Sequence, residues 1–465
     1  MEEFKPIDGT NTVRMYGCGP TVYNYAHIGN QRAYVFYDLL RRYLKYKGYD
    51  VKFAMNITDV DDKTIRSSRE AGQSLRDYTT FYMNEFFKDW EVLNISRPDM
   101  IIRATDEIDA MVDTIEILMQ KGHAYKAASG DIFFKIASFP DYGKMANIDA
   151  SKLKANADGR LADEYEKEDA QDFALWKAWT PADGDVFWDT RIGKGRPGWH
   201  IECSTMSHKY LGQPFDIHTG GIDLIFPHHT NEIAQSESYL QHHWCNYWMH
   251  VYHLNTPEGK MSKSTGEFLT ISLLKDKGYD PISYRFFCLQ SHYRKALLFT
   301  WKNLDNAAQT YSKLVNRIAL IQNDGKLDEQ AYAKFAENFH SALDNDLNTS
   351  SAITCLYDVL KADINGATKI ALIDNFDTVL GLKLIEKSED IKAKSKSLKA
   401  KISTSDFEIV SEEGEENPEV EKLLLERQAA KKEKNFARAD EIRNHLSEIG
   451  IEVTDVPKGV HWCRK

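Results

Sequence analysis

VRMYGCGPTVYNYAHIGNQRAYVFYDLLRRYLKYKGYDVKFAMNITD, residues 13–59, decides the fold. Val13 to Cys18 is short and β-prone, and Gly19-Pro20 follows it, as in a strand running into a turn. After His27-Ile28-Gly29-Asn30, apolar residues return at helical spacing until Gly48. Asp50 to Ile57 reads as a second strand, with Thr58-Asp59 at its end. Strand, helix and strand in that order predict a right-handed parallel unit. The order recurs downstream. FDIHTGG (215–221) reads as a strand, PHHTNEIAQSESYLQ (227–241) as a helix and WMHVYHL (248–254) as a strand. Two such units predict a doubly wound α/β sheet, which takes ligands at the carboxyl ends of its strands. The glycine-rich turns at 17–19 and 220–221 fall at those ends.

Between the halves, residues 121–195 are less periodic, acidic at LADEYEKEDAQD (161–172) and aromatic at Trp176, Trp179 and Trp188. They read as an insertion in the sheet domain. From Trp301 the pattern turns helical, as in NAAQTYSKLVNRIALIQ (306–322) and SAITCLYDVLKADI (351–364). KAKSKSLKAK (392–401) and acidic SEEGEEN (411–417) predict a flexible linker. A last unit has helical VEKLLLERQAAKKEKNFARADEIRNHLSEIG (420–450) and strand-like IEVTDV (451–456). The expected organisation is an α/β domain in two halves, 1–120 and 196–255, split by the insertion 121–195. A linking segment, 256–300, a helical domain, 301–390, a linker, 391–418, and a small α/β unit, 419–465, follow.

Composition limits the function classes. The chain has 465 residues, 42% hydrophobic and 28% charged, a globular balance that predicts several domains. No apolar run is long enough to span a membrane, and the N-terminus lacks the basic and apolar regions of a secretory signal. Six cysteines without a CxxC pair argue against a disulfide framework and for the reducing cytoplasm. The net charge of −11 argues against non-specific duplex DNA binding, which phosphate contacts carry, yet an acidic chain can hold RNA on a local basic patch.

Four motifs carry chemistry. In CGPTVYNYAHIGN (18–30), a histidine and a small polar residue at a strand-to-helix turn suit a phosphate at a helix N-terminus. In GKMSKSTGEF (259–268), Lys260 and Lys263 flank a serine between glycines, a cationic loop able to close on a polyphosphate. Cys18, Cys203, His228 and Glu232 are candidate zinc ligands by type. His228 and Glu232 share a helix face at i and i+4, His229 is an alternative ligand, and each cysteine also suits a buried apolar site. In HTGGIDLIFPHH (218–229), Gly220 and Gly221 allow close backbone approach to a nucleotide, and Asp223 can take ribose hydroxyls.

Together these residues strongly resemble cysteinyl-tRNA synthetases. The likeness rests on CGPTVY with HIGN, NITDVDDK (56–63), GWHIECS (198–204), HTGGIDLIFPHHTNE, KMSKS (260–264), DNDLNTSSAI (344–353) and FARADEIRNHL with the Trp462 region, and so spans nearly the whole chain. It implies a Rossmann-type catalytic domain with an insertion, a helical tRNA-binding domain and a C-terminal anticodon-recognition unit. It implies one zinc ion per chain on Cys18, Cys203, His228 and Glu232. It places Thr21, His27, Asn30, Gly220, Gly221, Asp223 and Lys263 at ATP, which arrives with Mg²⁺, and His27, Asn30, Lys260 and Lys263 at the reacting phosphates. Gly19, Thr58 and Trp199 are implied for L-cysteine. Lys432, Arg438 and Trp462 are implied for tRNA(Cys), although Trp462 equally suits the core of a small unit. The family's HIGH signature reads HIGN here, with Asn30 still able to hydrogen-bond. Thr230 replaces a usual acidic residue, and a further strand is expected ahead of Met1. One rival is a ligase of cysteine and an amino sugar, which would not need the modules after residue 301. Another is a non-catalytic tRNA-binding paralogue, which would not need His27, Lys260 and Lys263.

Overall fold

The computed structural model describes residues 4–148, 172–257, 259–260, 268–397, 402–404, 407–411, 417–456 and 459–464. Its core is a five-stranded sheet built from β1 (Thr12–Gly17), β2 (Asp50–Ile57), β3 (Met100–Arg103), β9 (Phe215–Gly221) and β10 (Cys245–Val251). Their order is β10-β9-β1-β2-β3 and every pairing is parallel. The chain leaves β1 toward β2 on one side and returns at β9 on the other. The β1/β9 junction is therefore the switch point, where a doubly wound sheet opens a crevice. These strands are covered on both faces, which explains continuously buried runs such as Phe53–Ile57 and Phe215–Thr219, even though Asn56, Asp216, His218 and Thr219 are polar.

The helices α1 (Ile28–Tyr46), α2 (Asp62–Glu70), α3 (Leu75–Val92) and α4 (Ile108–Gln120) precede the insertion. Helix α1 starts at His27, its N-cap, and ends at Lys47, before Gly48 with φ +91°. Helix α4 buries Met111, Val112, Ile115 and Leu118, one face at helical spacing. The insertion is a second, antiparallel sheet of β4 (Ala124–Lys126), β5 (Ile132–Phe134), β6 (Phe173–Ala178), β7 (Trp188–Thr190) and β8 (Gly193–Pro197), ordered β4-β5-β6-β8-β7. The acidic stretch 161–172 lies, apart from Asp172, outside the described residues.

Helices α5 (Trp199–Leu211) and α6 (Thr230–Leu240) flank β9. They are followed by β11 (Leu254–Thr256), β12 (Gly259–Lys260), α7 (Ile271–Asp276), α8 (Pro281–Leu289), β13 (Leu297–Leu298) and α9 (Trp301–Ala319). Helices α10 (Glu329–Asp344), α11 (Thr349–Lys361) and α12 (Gly366–Leu380) then pack on one another, and α10 and α12 meet α1. Tyr43 donates to Asp344 Oδ1 at 2.6 Å, and Tyr46 donates to Asn375. Arg285, fully buried, pairs with Asp38 at 2.7 Å and donates to the Leu380 carbonyl at 2.8 Å. The chain divides into two compact units, Met1–Ser312 with Asn323–Lys383, and Lys313–Gln322 with Leu384–Lys465. No helix among the described residues is long and apolar enough to cross a membrane.

The second unit holds α13 (Leu384–Ser397), β14 (Ile402–Thr404), β15 (Phe407–Ser411), α14 (Pro418–Lys432), α15 (Phe436–Glu448), β16 (Ile451–Val456) and β17 (Gly459–Arg464), in a β14-β15-β17-β16 sheet. Two expectations change here. The stretch 391–418 is not simply a linker: α13 runs to Ser397, and β15 pairs with β17, burying Phe407 and Ile409 in the core of this unit. The helix expected over 420–450 is two helices, broken at Lys434, whose φ is +59°, with Asn435 capping the second.

Candidate active site and metal centre

A cavity of about 440 Å³ opens at the carboxyl ends of β1 and β9. Cys18, Gly19, Thr21, His27, Asn30, Trp199, Gly221 and Asp223 line it, so the structure gathers residues that the sequence spreads over 200 positions.

His27 and Asn30 form a reciprocal cap on α1. His27 Nδ1 accepts from the Asn30 N–H at 3.2 Å, and Asn30 Oδ1 accepts from the His27 N–H at 3.3 Å. An accepting Nδ1 puts the ring proton on Nε2, as a donor. A Cβ at Gly29 would lie 2.9 Å from the His27 ring, so glycine lets the imidazole lie over the first turn. Gly19 approaches β2 still more closely. Its N–H donates to Asn56 Oδ1 at 2.8 Å, and a Cβ there would meet the Asn56 carbonyl oxygen at 1.7 Å. At the end of β9 a Cβ at Gly220 would lie 2.5 Å from the His229 ring, and one at Gly221, which lines the cavity, would lie 2.4 Å from Asp223 Oδ1.

Behind the cavity lie the candidate metal ligands. Cys18 (from the end of β1), Cys203 (on α5), His228 (in the π-turn before α6) and Glu232 (on α6) are all buried, with one ligand atom each inside a 4.8 Å cluster. A second set shares two members: Cys18, His218, His229 and Glu232. The two thiols stand 3.9 Å apart, near the edge of a tetrahedron with zinc–sulfur arms of about 2.3 Å. His228 Nε2 lies 2.9 Å from Glu232 Oε1, and His218 Nε2 lies 2.9 Å from Oε2. His229 Nε2 lies 3.3 Å from Cys18 Sγ, and its Nδ1 meets His250 Nε2 at 2.8 Å. Two thiols, imidazoles and a carboxylate out of water suit a soft divalent cation, which compensates the cost of burying such groups.

Electrostatics follow from that burial. Burial pushes the Glu232 carboxyl up, but His218 and His228 outweigh it and hold it at about 2. Burial raises the Cys18 thiol well above its usual range. It acts on Cys203 as well, yet the hydrogen bond with Cys18 and the His228 charge bring that thiol down, making it the readier to ionise. Burial and the nearby His218 and His250 keep His229 neutral.

A hydrogen-bond chain runs from β2 to Glu202, the neighbour of Cys203 on α5. Asn56 Nδ2 donates to Thr58 Oγ1 at 3.1 Å, and Thr58 Oγ1 donates to Glu202 Oε2 at 2.5 Å. Thr58 is buried beside the cavity. Trp199 stacks on His228 with ring centroids 4.1 Å apart. His200, Glu202, His218 and His250 were not singled out in the sequence, although His218 opens HTGG and His200 and Glu202 lie in GWHIECS.

Lys260 ends β12, and Lys263 lies outside the described residues. Lys432 ends α14, and Arg438 pairs with Glu441 at 2.8 Å. Trp462 is a correction: it is 1% exposed, packed among Ile409, Leu424, Ile442 and Leu446, so its ring offers no face to an unstacked base.

Comparison with known proteins agrees with this architecture. Residues 3–309 match the model of the class I (C) tRNA synthetase catalytic domain, residues 338–386 the DALR domain, and residues 413–462 the cysteinyl-tRNA ligase anticodon-binding domain. The chain is 47% identical over 477 residues to a cysteine–tRNA ligase of Brachyspira hyodysenteriae, covering 100% of this chain and 97% of that one. It is 42% identical over 492 residues to one of Koribacter versatilis, covering 100% and 98%. A Mycobacterium tuberculosis methionyl-tRNA synthetase in complex with methionyl-adenylate shares the fold, at a TM-score of 0.56 and 14% identity over 81% of this chain and 90% of that one. With the catalytic-domain model covering its α/β part and such relatives matching it from end to end, the chain belongs to the cysteine–tRNA ligase family of class I aminoacyl-tRNA synthetases.

Proposed function

We propose that the β1/β9 cavity activates L-cysteine with ATP and passes it to tRNA(Cys). The cysteine carboxylate attacks the α-phosphate, forming cysteinyl-adenylate and releasing pyrophosphate. The 3′-terminal ribose hydroxyl then takes the cysteinyl group and AMP leaves. The observation that carries this reading is Cys18, which lines the nucleotide cavity and belongs to the buried donor cluster.

Roles follow from placement. His27, donating from Nε2, and Asn30 suit the phosphates of Mg²⁺-bound ATP at the α1 N-terminus. Gly220, Gly221 and Asp223 suit the adenosine, with Thr21 on the same cavity wall as His27. Lys260 and Lys263 neutralise charge that develops on the phosphates, which in-line phosphoryl chemistry requires more than acid–base catalysis. Cys18, Cys203, His228 and Glu232 hold the metal, with His218 orienting Glu232. A zinc ion there supplies a soft Lewis acid that prefers a thiolate to an alkanol, a discrimination that a polar pocket alone makes poorly. Gly19, Thr58 and Trp199 shape the cysteine pocket around it. Lys432 and Arg438 face tRNA. The free cysteines suit the reducing cytoplasm.

Pyrophosphate exchange into ATP tests the first step and charging of purified tRNA(Cys) the second. The expected outcome is exchange driven by cysteine and not by serine, in protein that carries zinc. Exchange driven equally by serine, or active protein free of metal, overturns the reading.

A further inference from the structure

The cavity has two dissimilar walls. Gly221, Asp223 and Leu224 form the β9 wall, which the proposed function assigns to ATP. The opposite wall, at the β2 side, is aromatic: Tyr23, Tyr25, Tyr82 and Phe86 line it, with Lys63 beside them. This wall continues out of the cavity onto α3. Tyr78, Phe81 and Tyr82 share a face there at helical spacing. Phe81 is 48% exposed and Tyr25 40% exposed.

The rings form one connected shelf. Tyr25 meets Tyr82 at 5.3 Å between centroids and Phe81 at 6.4 Å. Phe81 meets Tyr82 at 5.1 Å, and Tyr78 meets Tyr82 at 5.0 Å. The Tyr78 hydroxyl donates to the Tyr23 carbonyl at 2.9 Å, which ties α3 to the loop after β1. The Lys63 ammonium lies 5.7 Å from the centre of the Tyr23 ring, a cation at the inner end of the shelf. Exposed aromatic rings gain nothing from water, and a contiguous group of them at the mouth of a site marks a binding surface.

We infer that this shelf, centred on Phe81 and Tyr25, stacks the terminal base of the unpaired tRNA 3′ end. The inference rests on the proposed function, because it needs the second reaction step in this cavity. The terminal ribose has to reach the adenylate while ATP-derived groups still fill the β9 wall, which leaves the aromatic wall for its base. Unpaired RNA bases are held by stacking on aromatic side chains, with cations nearby for the backbone. The shelf offers both, on the side that ATP leaves open. Its rings supply stacking and no base-edge code, which suits an end that needs placing and not reading.

The test uses the full-length protein, with Phe81→Ala and Phe81→Trp variants. Each is assayed for cysteine-dependent pyrophosphate exchange without tRNA. Each is then assayed for charging of tRNA(Cys), and for binding tRNA(Cys) with and without its terminal adenosine. Phe81→Ala should leave exchange intact and lower kcat/KM for tRNA by about 5- to 100-fold, the worth of one base–aromatic stack. Phe81→Trp should restore charging. The Phe81→Ala binding defect should vanish with the shortened tRNA, because its stacking partner is already gone. Unchanged charging overturns the inference, and so does an equal binding defect on both tRNAs. Loss of exchange in the variant also overturns it, since Phe81 would then support the ATP site. A wild-type protein without exchange would instead refute the proposed function itself, so the two failures are distinguishable.

Discussion

His218 Nε2 lies 2.9 Å from Glu232 Oε2, while His228 Nε2 holds the other oxygen, Oε1, at the same distance. One buried carboxylate is thus gripped from both ends. Trp248 stacks on the His218 ring at 4.7 Å and fixes its plane. Outer partners that orient a ligand carboxylate are worth about 10- to 100-fold in metal affinity. His218→Ala is therefore expected to lower zinc affinity by about that factor, while leaving all four proposed ligands in place. Competition against a chromogenic chelator measures it. Equal zinc retention by the variant would show that Glu232 needs no such support.

Gly19 gives a sharper steric test. A Cβ there would meet the Asn56 carbonyl oxygen at 1.7 Å, a contact that only backbone movement can relieve. Gly19→Ala has to push the loop after β1 away from β2, and Cys18 moves with it. The expected cost is about 1–3 kcal/mol of stability. Cysteine activation should fall as well, because the hydrogen-bond chain from Gly19 through Asn56 and Thr58 to Glu202 is broken at its first link. Thermal unfolding and exchange kinetics check the two effects, and wild-type values in both would refute the close approach.

Asp89 on α3 predicts a pH dependence away from the metal cluster. Burial raises its carboxyl to about 7, with Glu85 adding to the rise, while the Gln31 hydrogen bond and Lys275 act against it. An unfolded aspartate ionises near about pH 3.9. Below that pH both states hold the proton and the group contributes nothing. Between about 4 and 7 the unfolded chain has lost its proton and the native state has not, so stability falls as pH rises. Above about 7 the loss is complete. Asp89→Asn should remove this slope and so gain stability relative to wild type at neutral pH. Urea midpoints at pH 5 and pH 7.5, taken for both proteins, decide it. Parallel pH profiles would sink the assignment.

Much of the fold was legible because local pattern and tertiary role agree. The strands at 50–57 and 215–221 appear with the bounds that the apolar runs and the following Thr58 and Gly-rich turn suggest. The break at Lys434 was not legible. No glycine or proline marks it, and a lysine with φ +59° is held there by what surrounds it and not by its own preference. Phe407 and Ile409 were hidden in a stretch whose charge dominates its composition, although their alternation is that of a half-buried strand. In the cavity, the residues on short motifs came out of the sequence. His229 came out as an alternative ligand, but the imidazoles of His218 and His250 did not: they come from two separate strands, and only the parallel β9–β10 pairing sets His250 opposite Gly220.

Trp462 yields the last prediction, and it separates the two reaction steps. Its ring is 1% exposed in a core with Phe407, Ile409, Val420, Leu424, Ile442, Leu446, Ile451 and Val460. Removing a buried indole costs about 3–5 kcal/mol. A small unit has about 5–15 kcal/mol in all, so Trp462→Ala should take a large share of its stability. The candidate active site is in the other compact unit, built from β1, β9 and their helices. Cysteine-dependent pyrophosphate exchange should therefore persist in the variant. Charging of tRNA(Cys) should weaken, because the proposed tRNA contacts Lys432 and Arg438 are carried on α14 and α15, which pack on this core. Trp462→Phe fills most of the space and should restore charging, which a direct stacking role for the indole on RNA would also allow. Limited proteolysis distinguishes the two. Cleavage within 384–465 should speed up in Trp462→Ala, in step with the loss of charging. A variant that resists protease like wild type and yet charges poorly would put the indole at the RNA and overturn the core reading.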